Sequence, residues 1–365
     1  MPKMIPVTSR RSILQYPLTA ALAGRAAQAA KQLRRSIVDE YDPDNVKLGH
    51  RVPADITDED LLFLKQLGLR WARVEFGRRP VSLEFLRETQ DRFARFGIKI
   101  HSAVQNAYQS LKVQLGQPGR DEDIEIYQEF LRNLGRLGIP VAPYDFHPAN
   151  TYTTAVVNSA RGYRAREFDE SEFRKKVEKQ RFERPYNAEE IWSAYTYFVK
   201  AVLPVAEQAN VTLALHPDDP PLALMNRVAK LFVNIDGYRR AEKIAGGSKC
   251  WGIVFCVGTW AEGGPRMGKT VLEMIHEFGS RGKIHEVHFR NVSSPLPRFL
   301  ECFPDDGYVD MYQVMKALRK VCFRGLAIPD HVPALAGDRG IRRAGTAYCI
   351  ACMRAYLCRA NQEIT

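Results

Sequence analysis

The chain lacks any apolar run long enough to cross a bilayer, which is the first constraint on its function. No stretch of roughly 18 consecutive apolar residues occurs in its 365 residues, so a membrane-spanning helix is not expected. It also lacks a block of lysines and arginines interleaved with aromatic residues, although its formal net charge is +11. A nucleic-acid partner is therefore not expected, whereas a basic cavity for an acidic small molecule is compatible with this charge.

Cysteine and glycine patterns exclude two further classes of protein. Seven cysteines, an odd number without regular spacing, argue against a disulfide framework. Cys349 and Cys352 form a single CxxC with no second copy, so we interpret them as cysteines of a buried helix. No glycine-rich phosphate fingerprint follows an early apolar run, which disfavours a dinucleotide-binding sheet.

The first 30 residues have the character of a leader and are set apart from the folded domain. Arg10 and Arg11 precede a mild apolar run, and Ala27-Gln28-Ala29 offers small residues for cleavage. This pattern is typical of a twin-arginine export signal, which predicts a periplasmic protein. A transit-type leader or a disordered tail on a cytoplasmic protein is the alternative. Residues 31–365 are expected to form one domain.

Eight short apolar runs recur after residue 44, with amphipathic segments between them. The segment at 57–67 begins with Thr57, has Asp60 three residues later and ends at Gly68, as a capped helix does. Alternating strands and helices predict parallel βαβ units, and eight units predict an α/β fold of the (β/α)₈ barrel type. An open doubly wound sheet is the alternative. The runs are Asn45–His50, Leu69–Glu75, Lys99–Val104, Val141–Asp145, Val211–His216, Gly252–Cys256, Glu286–Arg290 and Gly325–Asp330.

One connection is longer than the others. Residues 146–186 are polar and rich in arginine, and they separate the fourth run from the next helical pattern. In a barrel, this insertion would lie on the face that carries the carboxyl ends of the strands. We predict a lid or an oligomer arm, with a disordered excursion as the alternative.

Four consecutive runs carry, at or near their ends, residue types that bind metals. His216, Cys256, His288 and Asp330 are spaced by 40, 32 and 42 residues, each about one βα unit. Because reactive residues of such barrels lie where strands end, we expect one shared metal site. A thiolate, two imidazoles and a carboxylate admit Mn²⁺, Fe²⁺ and Zn²⁺.

Several segments, in order, resemble the mannonate dehydratase family. The resemblance covers roughly residues 45–357 and implies a TIM barrel of the xylose-isomerase-like superfamily. It also implies elimination of water from D-mannonate or a related aldonate, giving a 2-keto-3-deoxy sugar acid, with Mn²⁺ or Fe²⁺ as cofactor and Zn²⁺ as the alternative. The segments are LALHPDDPP at 213–221, FCVGTW at 255–260, VHFRNV at 287–292, GYVDMYQVMKAL at 307–318 and PDH at 329–331.

The resemblance also implies roles for individual residues. The family's metal ligands correspond to the same four residues, His216, Cys256, His288 and Asp330. His331 matches an acid/base histidine, and Arg290 and Asn291 match the segment that lines the substrate site. Arg290 is expected to bind the substrate carboxylate; an ion pair with Glu286 is the alternative.

Two assignments stay open at this stage. Asp218 and Asp219 are expected to bind substrate hydroxyls, but either carboxylate would also suit a hydrogen bond to His216 or the cap of a following helix. A second proton-transfer group is required beside His331, and His147, Tyr152 and a metal-bound water are candidates.

The chain departs from the family pattern in part of the substrate site. Ile328 and Val332 flank the PDH tripeptide where the family has arginine and glycine, and a tyrosine expected before the last helix has no match near Gly340–Ala344. A metal-dependent sugar isomerase or epimerase and a non-catalytic sugar-acid binding protein are therefore alternatives. The expected partner is a small-molecule sugar acid, and homo-oligomerisation stays open.

Overall fold

The computed structural model describes residues 42–148, 151–176, 182 and 184–364. The predicted twin-arginine signal lies outside the described residues. Within them, no helix combines the length and apolar character that crossing a membrane requires.

Fourteen strands are present in the described residues, and eight of them close into a barrel. They are β1 (Lys47–Pro53), β2 (Trp71–Glu75), β3 (Lys99–Val104), β4 (Val141–Tyr144), β5 (Ala155–Asn158), β6 (Arg164–Asp169), β7 (Thr212–Leu215), β8 (Leu224–Met225), β9 (Val228–Ala229), β10 (Trp251–Cys256), β11 (Ile284–His288), β12 (Asn291–Val292), β13 (Arg298–Cys302) and β14 (Leu326–Ile328). The barrel order is β1-β14-β11-β10-β7-β4-β3-β2, and each neighbouring pair is parallel. The predicted (β/α)₈ barrel is confirmed, because each predicted run contains one barrel strand or overlaps it.

Helices connect the barrel strands and begin and end largely where the sequence indicates. Thr57 caps the first helix by accepting a hydrogen bond from the Asp60 amide at 3.1 Å, and Gly68 follows its end with φ +76°. Glycine tolerates this left-handed backbone, so it ends the helix at little cost. The helices are α1 (Asp58–Gln66), α2 (Leu83–Arg95), α3 (Leu111–Gln114), α4 (Arg120–Arg136), α5 (Glu170–Lys176), α6 (Ala188–Ala209), α7 (Ile235–Ile244), α8 (Val257–Gly263), α9 (Val271–Gly279), α10 (Met311–Lys320) and α11 (Arg343–Ile364), with 3₁₀ turns at Asn106–Gln109 and Gly264–Met267.

A second, antiparallel sheet stands outside the barrel. Its order is β12-β13-β6-β5, and we call it the outer sheet. β5 and β6 come from the long connection after β4, whereas β12 and β13 follow the carboxyl end of β11. The outer sheet therefore joins two distant connections at the end of the barrel where the predicted ligands lie. A lid function for this segment stays a prediction.

The core is one large apolar cluster between the barrel and its helices. Three of its polar groups form a buried hydrogen-bonded set: the Trp251 indole donates to the Tyr144 hydroxyl at 3.0 Å, and that hydroxyl lies 3.0 Å from the Tyr195 hydroxyl. Cys349 is buried on α11 and Cys352 is half-buried there, and neither forms a disulfide.

Candidate active site

The four predicted metal ligands lie at one end of the barrel. β7, β10, β11 and β14 are neighbours in the barrel and end at or just before these residues. Ligand atoms of His216, Cys256 and His288 lie within 4.8 Å of one another. Asp330 is outside that closest group, but its Oδ2 is 3.7 Å from His288 Nδ1. We call these four residues the ligand cluster.

The two imidazoles of the ligand cluster face each other. His216 Nδ1 lies 2.8 Å from the Pro217 carbonyl, to which it donates, and His288 Nε2 lies 3.2 Å from Glu286 Oε1. Arg73 Nη1 lies 2.8 Å from the same His288 Nε2 and can only donate to it, and the inner nitrogens, His216 Nε2 and His288 Nδ1, are 3.2 Å apart. Burial, with the nearby His147, lowers the pKa of His216 to about 4, which keeps it neutral. Because His216 donates through Nδ1, its Nε2 carries a lone pair that faces His288, and the closeness of the two rings to Cys256 fits ligands of one metal ion.

Cys256 adds a buried sulfur to the cluster. Its Sγ accepts hydrogen bonds from the Thr259 hydroxyl at 3.1 Å and from the Thr259 amide at 3.5 Å, and Arg290 Nη2 is 3.6 Å away. Donors around a sulfur stabilise a thiolate, the form that binds metals. The donor set of the cluster therefore fits a divalent cation.

A buried carboxylate on β11 supports His288 and was missed by the sequence analysis. Glu286 accepts hydrogen bonds from Arg73 at 2.8 Å and from the Ser102 hydroxyl at 2.5 Å. Burial alone would raise the pKa of Glu286, but Arg73 and His288 outweigh it and lower the pKa to about 2. Strand alternation places Glu286 on the same face as His288, and this was the available signal.

His331 is held by a carboxylate from the outer sheet. Its Nδ1 lies 2.8 Å from Glu301 Oε1, and its Nε2 lies 3.8 Å from Asp330 Oδ2. The backbone of His331 has φ +46°, a left-handed conformation that is costly for a side chain with a Cβ. Glu301 lies on β13, 30 positions earlier, and no motif or spacing in the sequence indicates this pairing.

His147 has an equivalent support from Asp218. His147 Nδ1 lies 2.8 Å from Asp218 Oδ1, and the same carboxylate accepts from Lys230 Nζ at 2.9 Å and from the Phe232 amide at 2.8 Å. Burial would raise the pKa of Asp218, but Lys230 and His147 lower it below its usual range. Asp218 is therefore an anion that positions His147, and the Asp218 side chain is fully buried.

Arg290 forms ion pairs with several buried carboxylates. Its guanidinium reaches Glu262 at 2.5 Å, Asp219 at 2.8 Å and Glu301 at 3.1 Å, and its side chain is inaccessible. Gly258 leaves the necessary space, because a Cβ there would lie 2.6 Å from Arg290 Nε. Arg290 thus aligns carboxylates around the site.

Asn291 fixes the loop that follows the outer sheet. Its side-chain amide donates to the Pro304 carbonyl at 3.1 Å and to the Val309 carbonyl at 2.9 Å, and its oxygen accepts from the Val292 amide at 2.9 Å. All its polar atoms are occupied, and the residue is fully buried. The structure therefore gives Asn291 no free group for a substrate.

The cavity beside the ligand cluster has a volume of about 360 Å³, within the range of small-molecule sites. Among the predicted substrate residues, only Asp219 lines it; Arg290, Asn291 and Asp218 lie behind it, so direct substrate contact is proposed for Asp219 alone. A larger apolar pocket near Trp260 contains none of the ligand cluster. The cavity lining is Arg51, Arg73, Tyr108, Gln109, Pro143, Tyr144, Asp145, His147, Thr151, Arg166, His216, Asp219, His288, Asp330 and His331.

Comparison with known proteins agrees with the resemblance in the sequence. The family model for D-mannonate dehydratase (UxuA) matches residues 81–186 and 173–358. The chain is 29% identical over 254 residues to mannonate dehydratase 2 of Halalkalibacterium halodurans, covering 62% of this chain and 72% of the relative. It is 28% identical over 291 residues to the mannonate dehydratase of Thermotoga petrophila, covering 70% and 79%.

Solved structures of other proteins have the same barrel fold as this chain. The crystal structure of mannonate dehydratase from Streptococcus suis serotype 2 superposes with a TM-score of 0.75 at 26% identity, covering 87% of this chain and 96% of that chain. A structure of L-ribulose 3-epimerase has a TM-score of 0.56 at 14% identity, covering 87% and 97%, and shares the fold alone. Because the family model covers most of the chain, the protein belongs to the D-mannonate dehydratase family of hydro-lyases.

Proposed function

We propose that the protein is a metal-dependent dehydratase that converts D-mannonate or a related aldonate to a 2-keto-3-deoxy sugar acid. The observation that carries this proposal is the pair of carboxylate-supported imidazoles in one cavity. His147, which Asp218 supports, and His331, which Glu301 supports, both line the cavity beside the ligand cluster. Elimination of water needs one base and one acid, and this cavity offers both.

A metal belongs to this proposal because the donor set fits one. His216, Cys256, His288 and Asp330 would hold it, with Mn²⁺ or Fe²⁺ expected and Zn²⁺ as the alternative. When bound, a divalent cation supplies Lewis-acid stabilisation to the negative charge that develops next to the substrate carboxylate. Glu286 would hold the imidazole of His288 in the orientation that this requires.

In this proposal, two imidazoles of the protein perform the two proton transfers. One imidazole removes the proton from the carbon next to the carboxylate, and the electron pair forms the new carbon–carbon double bond. The bond to the 3-hydroxyl breaks, and the second imidazole protonates the departing oxygen, so water leaves. The enol product then tautomerises to the 2-keto acid. His331 has one of these roles and His147 the other, while Asp219 accepts a hydrogen bond from a substrate hydroxyl.

An activity assay with defined metals tests the proposal. Purified protein, stripped of metal and reloaded with Mn²⁺, Fe²⁺ or Zn²⁺, is incubated with D-mannonate, and 2-keto-3-deoxy acid is measured. Keto-acid formation with at least one metal is expected, and the exposed His276→Asn variant should match the wild type. No turnover with any metal would refute the dehydratase, and an isomerised or epimerised sugar as product would favour the alternative enzyme class.

Metal content tests the ligand cluster separately. Cys256→Ser removes the thiolate, so bound metal measured by elemental analysis should fall at least tenfold at limiting metal concentration. Cys322→Ser, at an exposed cysteine, is the matched control. Unchanged stoichiometry in Cys256→Ser would contradict the assignment.

A further inference from the structure

Among the described residues, one of the three arginines that line the cavity is not paired with a carboxylate. Arg51 lies 3.4 Å from Asp330, and Arg73 lies 2.8 Å from Glu286. Arg166 also lines the cavity and is half-buried, yet within the described part of the chain its guanidinium has no hydrogen-bond or ion-pair partner. A guanidinium that is partly removed from water and unpaired attracts an anion strongly.

The outer sheet holds Arg166 in a fixed position. Two residues before it, Arg164 exchanges backbone hydrogen bonds with Ala334 at 3.0 and 2.9 Å. Two residues after it, Phe168 stacks on Phe299 of β13 with ring centroids 5.6 Å apart. Ala334 lies three residues after His331. Arg166 is therefore tied to the same loop as a proposed proton-transfer residue.

We infer that Arg166 binds the carboxylate of the substrate and makes the cavity selective for sugar acids over neutral sugars. The inference rests on the proposed function for its substrate class. Planar guanidinium and carboxylate groups form two parallel hydrogen bonds, which fix orientation as well as position. Held in this way at one end, the sugar acid would present its second and third carbons to the two imidazoles.

This assignment gives the long connection after β4 a role in binding the substrate. Arg166 lies in the arginine-rich stretch at 146–186, outside the segments that resemble the family most closely. Arg290, the residue expected to bind the carboxylate, has its guanidinium enclosed by protein acids. The outer sheet thus supplies a cation that is not already paired with a protein carboxylate, unlike Arg51 and Arg73 of the barrel.

Binding of a charged and an uncharged ligand tests the inference. Calorimetry on metal-loaded protein compares D-gluconate with D-glucitol, which has the same carbon number and no charge. The wild type is expected to prefer the acid, and Arg166→Gln should reduce that preference at least tenfold. Arg164→Gln, on the same strand but exposed and outside the cavity lining, is the matched control and should keep the preference. Arg166→Lys keeps the positive charge and should recover part of the preference for the acid.

The outcomes separate this inference from the proposed function. If no variant forms keto acid but the acid preference depends on Arg166, the dehydratase proposal fails and the inference stands. If Arg166→Gln keeps the preference of the wild type, or if the wild type has none, the inference is wrong. In active enzyme, Arg166→Gln should raise KM for the aldonate more than it lowers kcat.

Discussion

Each reactive side chain of the site is oriented by a second residue. His216 donates to a carbonyl, His288 faces Glu286, His147 faces Asp218 and His331 faces Glu301. A histidine that donates one ring nitrogen to a fixed acceptor has one defined tautomer, and the other nitrogen faces the reaction. In the proposed mechanism, the chemistry therefore depends on three supporting carboxylates, none of which lines the cavity.

His147 gives the sharpest prediction at this scale. His147→Asn removes an imidazole that transfers a proton, so kcat should fall by about 10²- to 10⁴-fold. The bound metal should be unchanged, because His147 is outside the ligand cluster. Kinetics with D-mannonate and elemental analysis of the same sample measure both. A kcat within threefold of the wild type would remove His147 from the mechanism.

At the residue scale, the sequence predicts where a side chain lies when position along a strand determines position in space. His216, Cys256 and His288 were selected because they end strands, and they meet within 4.8 Å. It could not choose between the roles of Asp218 and Asp219, because adjacent residues in a loop have no fixed direction. In the structure, Asp218 turns toward His147 and Asp219 toward Arg290.

At the scale of elements, the outer sheet adds residues to the site that the barrel strands do not carry. β6 contributes Arg166 to the cavity, and β13 contributes Glu301, the partner of His331. The two strands are antiparallel and pair at Phe299 and Phe168. Because one sheet carries both residues, its stability and the geometry of the site are coupled.

Phe168→Ala tests this coupling. Phe168 is 1% exposed, so its truncation should destabilise the sheet by about 3 kcal/mol and increase amide hydrogen exchange in β6 and β13. The acid preference should weaken in the same variant. Val156→Ala, at an exposed position of β5, should change stability by less than about 0.5 kcal/mol. Equal protection of β6 in Phe168→Ala and the wild type would contradict the coupling.

Across the whole molecule, closing the barrel buries histidines outside the active site. Burial lowers the pKa of His50, His101 and His285 to about 4. The Nδ1 of His101 has no hydrogen-bond partner among the residues described, and burial outweighs the attraction of Glu286 for a charge there. These imidazoles are neutral in the folded state at a pH where the unfolded chain binds protons.

The stability of the barrel should therefore fall with acid. The folded pKa of His101 is below its unfolded value near 6.5, so its contribution is complete above pH 6.5 and is lost as the pH falls toward 4. His101→Gln, which cannot titrate, should reduce the loss of unfolding free energy between pH 7.5 and 5 by about 2 kcal/mol. Urea denaturation of metal-free protein at both values measures this. The same pH dependence in the variant and the wild type would contradict it.

The sequence by itself determined the barrel and the ligand cluster. Alternating strands and helices specify parallel units, and eight units close a sheet, so residues at strand ends must meet at one rim. Only the tertiary structure decided which residues face the cavity: it turned Arg290, Asn291 and Asp218 away, brought Arg166 in from another sheet and placed Glu301 of that sheet behind His331. The physical reason is that pairing between distant strands depends on packing across the molecule, which local periodicity does not encode.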